Sequence, residues 1–238
     1  AHKLRREIVA TQLANAIVNR GGPAIVTTLA DQTHAGAPAV AAAYAIARDS
    51  FDLITLNGAI DALDAKVSGA TQIGLYAAAQ TLVTDRMSWF LRRGVAKPGA
   101  IEQTVARYAR GVAELEAGLD AVLPEPAAQA RTARISVLVS EGVPEALATR
   151  IASLQALAQA TDIVDIAQNG GRSIVEVARI HFEVDTVFGL SSLAAAATAV
   201  PATDDYERLA RDRAVETLAD ALAGLTREGA ASQDAAGT

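Results

Sequence analysis

The stretch LRREIVATQLANAIVNRGGP, residues 4–23, reads as a helix that stops abruptly. Val9, Leu13, Ala16 and Ile17 recur at three- and four-residue spacing, so they share one face that needs something to pack against. Ile8, Gln12, Asn15 and Asn19 make a second stripe at the same spacing, and three of these four carry amides. Gly21 and Gly22 can take the positive φ that closes a helix, and Pro23 cannot continue one. Buried amides must find hydrogen-bond partners. An amide stripe beside an apolar one therefore reads as a helix packed on two sides, its amides binding neighbouring helices together or lining a ligand site.

Composition extends that reading to the whole chain. Half of the 238 residues are hydrophobic but only 4% are aromatic, and Ala is by far the commonest residue. Ala is the strongest helix former and lets helices approach closely, so the chain reads as an all-α, multi-helix protein. The net charge of −6 argues against nucleic acid as a partner, because phosphate binding needs concentrated positive charge. The absence of cysteine excludes disulfides and thiolate metal sites and fits a cytoplasmic protein. No apolar run approaches the roughly 20 residues of a membrane span, so no membrane partner is expected. The chain starts without Met inside a helical pattern, which suggests a piece of something longer.

Proline and glycine punctuate the remaining helices. Residues 23–33 read as a short helix with Ile25, Val26, Leu29 and Ala30 inward, and a second helix runs from Pro38 to about Ser50. Residues 51–66 form a third, with Leu53, Leu56, Ile60 and Leu63 on one face. Ser68 caps a long helix ending near Arg93, and residues 94–99, GVAKPG, are a turn. The next pattern is the most regular: Ile101, Val105, Tyr108, Val112, Leu115, Leu119 and Val122 alternate by four and three residues. That is the seam of a helix lying along another at a shallow angle. The predicted partner is the helix before the turn, which makes residues 68–123 a central antiparallel hairpin roughly 35 Å long.

Pro124 and Pro126 end the hairpin and mark the expected boundary between subdomains 1–123 and 124–238. Helices are predicted over 127–141, from Pro144, over 160–168, 173–188 and 190–200, and then after Pro201. In the last of these Asp204 and Glu207 have capping-box spacing, and Asp204/Arg208 and Glu207/Arg211 are spaced as i,i+4 ion pairs. A frayed tail is expected from about Gly229. One internal echo stands out. At a constant offset of 137, residues 29–56 and 166–193 share Ala30/Ala167, Val40/Val177, Ala41/Ala178, Phe51/Phe188, Leu53/Leu190 and Leu56/Leu193. The ungapped F-x-L-x-x-L ending suggests two similar short-helix units flanking the hairpin.

Chemistry-bearing residues are scattered. GATQIG at residues 69–74 lacks the middle glycine and preceding strand of a dinucleotide-binding turn, and reads as a helix start. His2, His34 and His181 form no cluster with metal-ligand spacing, and His181, among Val177, Ala178 and Val184, reads as a part-buried structural histidine matched to Tyr44 in the echo. Asp49/Asp52, Asp61/Asp64 and Asp204/Asp205 suit caps and solvated faces as well as they suit carboxylate pairs. Arg5 with Arg6, and Arg92 with Arg93, suit contacts with another domain. The expectation is no catalytic, no cofactor-binding and no metal-ligating residue in this chain.

Several segments carry a family resemblance: residues 4–23 with their Arg-Arg-Glu and Gly-Gly-Pro, then RDSFDL (48–53), AIDALDAKV (59–67), DRMSWFLRR (85–93) and GVPEALATRIASL (142–154). In order along nearly the whole chain, they resemble the C-terminal helical region of the large bacterial NAD-specific glutamate dehydrogenases. The resemblance implies a parent enzyme that oxidatively deaminates glutamate with NAD, a helical domain that packs on the catalytic and N-terminal domains of the same polypeptide, and subunit contacts in a homo-oligomer. Such enzymes need active-site lysines, yet Lys3, Lys66 and Lys97 are the only lysines here and lack the family's catalytic surroundings. The rival classes are a helix-turn-helix DNA-binding regulator, which the poverty of basic residues on 39–49 and 174–185 disfavours, and a purely scaffolding helical protein.

Overall fold

A computed structural model describes residues 4–22 and 24–236, apart from the side chains of residues 5, 6 and 233–236. Every regular element among the described residues is helical. The chain divides into two compact units, Ala1–Ala113 with Ala130–Ala158, and Glu114–Gln129 with Gln159–Thr238. The exchanges fall on either side of Pro124 and Pro126, so the helix break at Pro124 lies inside the second unit.

The first unit holds α1 (Arg5–Gly21), α2 (Ile25–Thr33), α3 (Ala37–Ser50), α4 (Leu53–Asp61), α5 (Gly69–Arg92) and α8 (Glu145–Leu157), with parts of α6 (Ile101–Val122) and α7 (Glu125–Ser140). Its centre is α3, where Val40 and every residue from Ala42 to Ala47 is buried. A helix apolar all round belongs inside, and its alanines let α1, α2, α4 and α5 close on it. The faces of α2 and α4 fall as their spacing requires, with Ile25, Leu29, Leu53, Leu56, Ile60 and Leu63 buried. Residues 51–66 do not form one helix, however. α4 stops at Asp61, and a turn with Ala65 at φ +58° delivers Ser68, whose hydroxyl caps α5 at Thr71 N, 3.0 Å away. At the far end of α5, Trp89 and Phe90 meet Tyr108 of α6 edge-on, with ring centroids 5.7 and 5.1 Å apart.

The second unit is built from α9 (Ala160–Gly170), α10 (Ile174–Phe188), α11 (Leu190–Thr198) and α12 (Asp205–Ala236), with the remainders of α6 and α7. α12 packs on α9, α10 and α11. Ser173 opens α10 with a reciprocal capping box to Glu176. α12 continues past Gly229, which lies so close to α10 that an added Cβ would stand 3.0 Å from Ile180, and Ala230 is buried. The tail expected to fray from there is helical to Ala236, and its start at Gly229 and Ala230 is closely packed, which residue polarity does not reveal. The predicted ion pairs also shift: Arg208 pairs with Asp205, and Arg211 with Asp212. Asp204 caps Glu207 N, while the Glu207 carboxylate accepts from Thr203.

The echo has a backbone counterpart. α2 and α9 end at Thr33 and Gly170, and α3 and α10 begin at Ala37 and Ile174, each 137 residues apart. α4 and α11 keep that offset at both ends. Positive φ falls at matched positions too: His34 (+57°) with Gly171 (+65°), and Asp52 (+48°) with Gly189 (+64°).

Candidate functional site

α1, α3, α4 and α5 leave a cleft of about 280 Å³ between them in the first unit. Its floor is apolar, from Leu53, Ala79 and Val83, all buried. Its rim is polar, with Asn19 and Arg20 from the last turn of α1, Tyr44 from α3, Asn57 from α4, and Tyr76 and Gln80 from α5. Arg20 Nη2 donates to Asp61 Oδ2 at 3.3 Å, and its guanidinium lies 5.3 Å from the Tyr76 ring centre. The Tyr76 hydroxyl donates to the other Asp61 oxygen, so one carboxylate holds both groups at the mouth. Asn57 spends its amide N–H on the Leu53 carbonyl at 2.8 Å. Arg48 grips Asp49 with two bonds of 2.6 and 2.8 Å, its guanidinium 6.0 Å from the Tyr44 ring centre.

Burial pushes the Tyr44 phenol above its ordinary range, and the Arg48 and Arg20 charges only partly oppose this. Tyr76 moves the same way, through desolvation first and the Asp61 hydrogen bond and charge second. Both therefore stay protonated donors at neutral pH. The arginine is already matched by a carboxylate. The cleft thus sets two phenols and an ion-paired arginine around an apolar floor.

The residues singled out in the sequence mostly lie elsewhere. Of the amide stripe on α1, Asn19 reaches the cleft, but Gln12, Asn15 and Asn19 are all exposed, as is Ile8 at 45%. The expectation of a helix buried on two sides fails because only the C-terminal part of α1 is seated: Ile17 is buried, whereas Val9 is 54% exposed. His181 sits in the second unit, fully buried rather than part-buried. Its Nδ1 lies 3.0 Å from Thr226 Oγ1, and that hydroxyl donates to the Leu222 carbonyl, so Nδ1 carries the proton. Nε2 is buried without a partner, and burial lowers the imidazole pKa to about 4. Lys66 and Lys97 are exposed. Residues 69–74 open α5 as a helix start. Asp49 and Asp61 serve arginines, and Arg93 stacks on Trp89 at 5.5 Å. His2, Lys3, Pro23 and the side chains of Arg5 and Arg6 lie outside the described residues. Among the described residues no group of three or more histidines and acids could hold a metal ion, and no helix is long and apolar enough to cross a membrane. In the sequence Tyr44 stands out only as the match of His181 and Asp61 only beside Asp64, and neither Tyr76 nor the Arg20–Asp61 pair stands out, since nothing local links positions 41 residues apart.

Comparison with known proteins places the chain. The family model described as "Glutamate dehydrogenase, C-terminal" matches residues 1–237. The NAD-specific glutamate dehydrogenase of Halomonas elongata is 34% identical over 211 residues, which cover 89% of this chain. That of Pseudomonas aeruginosa is 33% identical over 211 residues. The match spans only 13% of the length of each relative.

Proposed function

The chain belongs to the C-terminal family of glutamate dehydrogenases, and we propose that it serves there as a non-catalytic helical domain. The parent enzyme would convert L-glutamate to 2-oxoglutarate and ammonia, with NAD accepting the hydride. The dinucleotide and glutamate sites would lie in the other domains of that polypeptide. This chain would pack on them and support a cytoplasmic homo-oligomer.

The observation that carries the reading is the family match over 1–237 at the C-terminal end of an enzyme whose named relatives are NAD-specific. The reading is further supported by the neutral, enclosed imidazole of His181 and by the pairing of Arg20 with Asp61 in the cleft. The hairpin proposed for residues 68–123 is supported at its turn by the contact of Trp89 and Phe90 with Tyr108. A DNA-reading role fits poorly, because α3 is buried over six successive residues and α10 exposes Glu176 and Glu183 beside Arg179. The test is a paired assay of NAD-linked glutamate oxidation on the intact protein and on residues 1–238 alone. Turnover is expected from the first only, and NADH formation by the second would overturn the reading.

A further inference from the structure

The two matched segments end on the same residues in opposite surroundings. Phe51, Leu53 and Leu56 are 0%, 3% and 4% exposed, whereas Phe188 and Leu193 are 55% and 53% exposed and Leu190 is half-buried. The first segment has two coverings. α5 packs on α3 and α4 together, and α8 packs on α4 and α5, where its Arg150 Nη2 donates to the Phe51 carbonyl at 2.8 Å. In the second segment α12 packs on α10 and α11 together, as α5 does on their counterparts. Among the described residues no second helix is seen to pack on α11 as α8 packs on α4, and Val187, next to Phe188, is 76% exposed.

We propose that this open face, Phe188 with Leu193, seats a helix from elsewhere in the dehydrogenase polypeptide, the counterpart of α8. The proposal rests on the reading of the chain as one domain of that enzyme. α8 defines the occupant's chemistry: apolar residues at three- and four-residue spacing, as Leu147, Ile151 and Leu154 are, and an arginine beside them to meet the carbonyl of Phe188. The relatives are long enough to supply it, since the match spans 13% of their length. Large apolar residues left exposed close together in the chain, as Val187, Phe188 and Leu193 are, are the usual mark of such a seat.

The test uses the full-length enzyme with the photo-crosslinking residue p-benzoylphenylalanine in place of Leu193, and in a second protein in place of Glu183, which is exposed on α10. After irradiation, digestion and mass spectrometry, position 193 is expected to join one helical segment outside residues 1–238, and position 183 not to. With the crosslinker at Phe188, adding Leu193→Asp should cut the yield by about tenfold, since a carboxylate in an apolar contact costs at least ~1.4 kcal/mol. No discrete product from position 193, a crosslink to residues 1–238 of a second copy, or one to a different protein would overturn the proposal. Glutamate oxidation assayed on the same preparations separates the two claims: a discrete crosslink without turnover removes the enzymatic reading and leaves the seat.

Discussion

Residues 29–56 and 166–193 share their helix boundaries and their two left-handed positions, and differ in what lies over them. The first copy buries its F-x-L-x-x-L ending, while the second shows Phe188 and Leu193 to solvent. Backbone form is therefore set by local residues, and burial by the helices that a distant part of the chain brings.

The largest effect that would break this comparison is a phenylalanine truncation. Phe51→Ala should cost about 3–5 kcal/mol in urea unfolding of the chain, as deletion of a fully buried aromatic does. Phe188→Ala should change stability by no more than about 0.5 kcal/mol, and equal losses would end the contrast.

The next effect separates Tyr44 from its counterpart His181. The folded imidazole titrates near 4, below the unfolded value of about 6.5. Its neutral form is thus favoured by folding, and the stability it contributes is fully present above about pH 6.5 and lost as pH falls toward 4. The total is about 3 kcal/mol, and His181→Leu should flatten that part of the pH–stability curve. Tyr44, with its pKa raised from 10, contributes no slope in this window. An unchanged slope in the variant would show that other groups produce it.

A smaller effect concerns the covering helix. Arg150→Met should destabilise by about 1.5–3 kcal/mol, the usual worth of a hydrogen bond from a charged donor, read as a lower urea midpoint. Smallest is an exchange at the matched left-handed positions. Asp52 makes no capping bond with its side chain, so Asp52→Gly should stabilise by up to about 1 kcal/mol, while Gly189→Ala should cost about 1–2 kcal/mol. Opposite signs in thermal midpoints are the expected outcome.

These contrasts show what the sequence could reveal. Periodicity placed the buried faces of α2, α4 and α6 because a face inside a core must repeat with the helix. The echo was legible because F-x-L-x-x-L and the helix breaks are local features. The exposure of Phe188 was not, since the same letters bury Phe51. The α1 amides misled for a related reason: a stripe shows which residues share a face and is silent on whether anything covers it. The cleft was the least legible feature, as Arg20, Tyr44, Asp61 and Tyr76 converge from four helices with no shared spacing.

The aromatic corner where α5 meets α6 has a practical consequence. Trp89 is the only tryptophan in the chain, and it is buried edge-on against Phe90 and Tyr108 within the first unit. Its fluorescence therefore reports on that unit alone, while circular dichroism at 222 nm would follow the helices of both. Melting followed by the two signals at once becomes a measure of whether the two units unfold together, without a single added label.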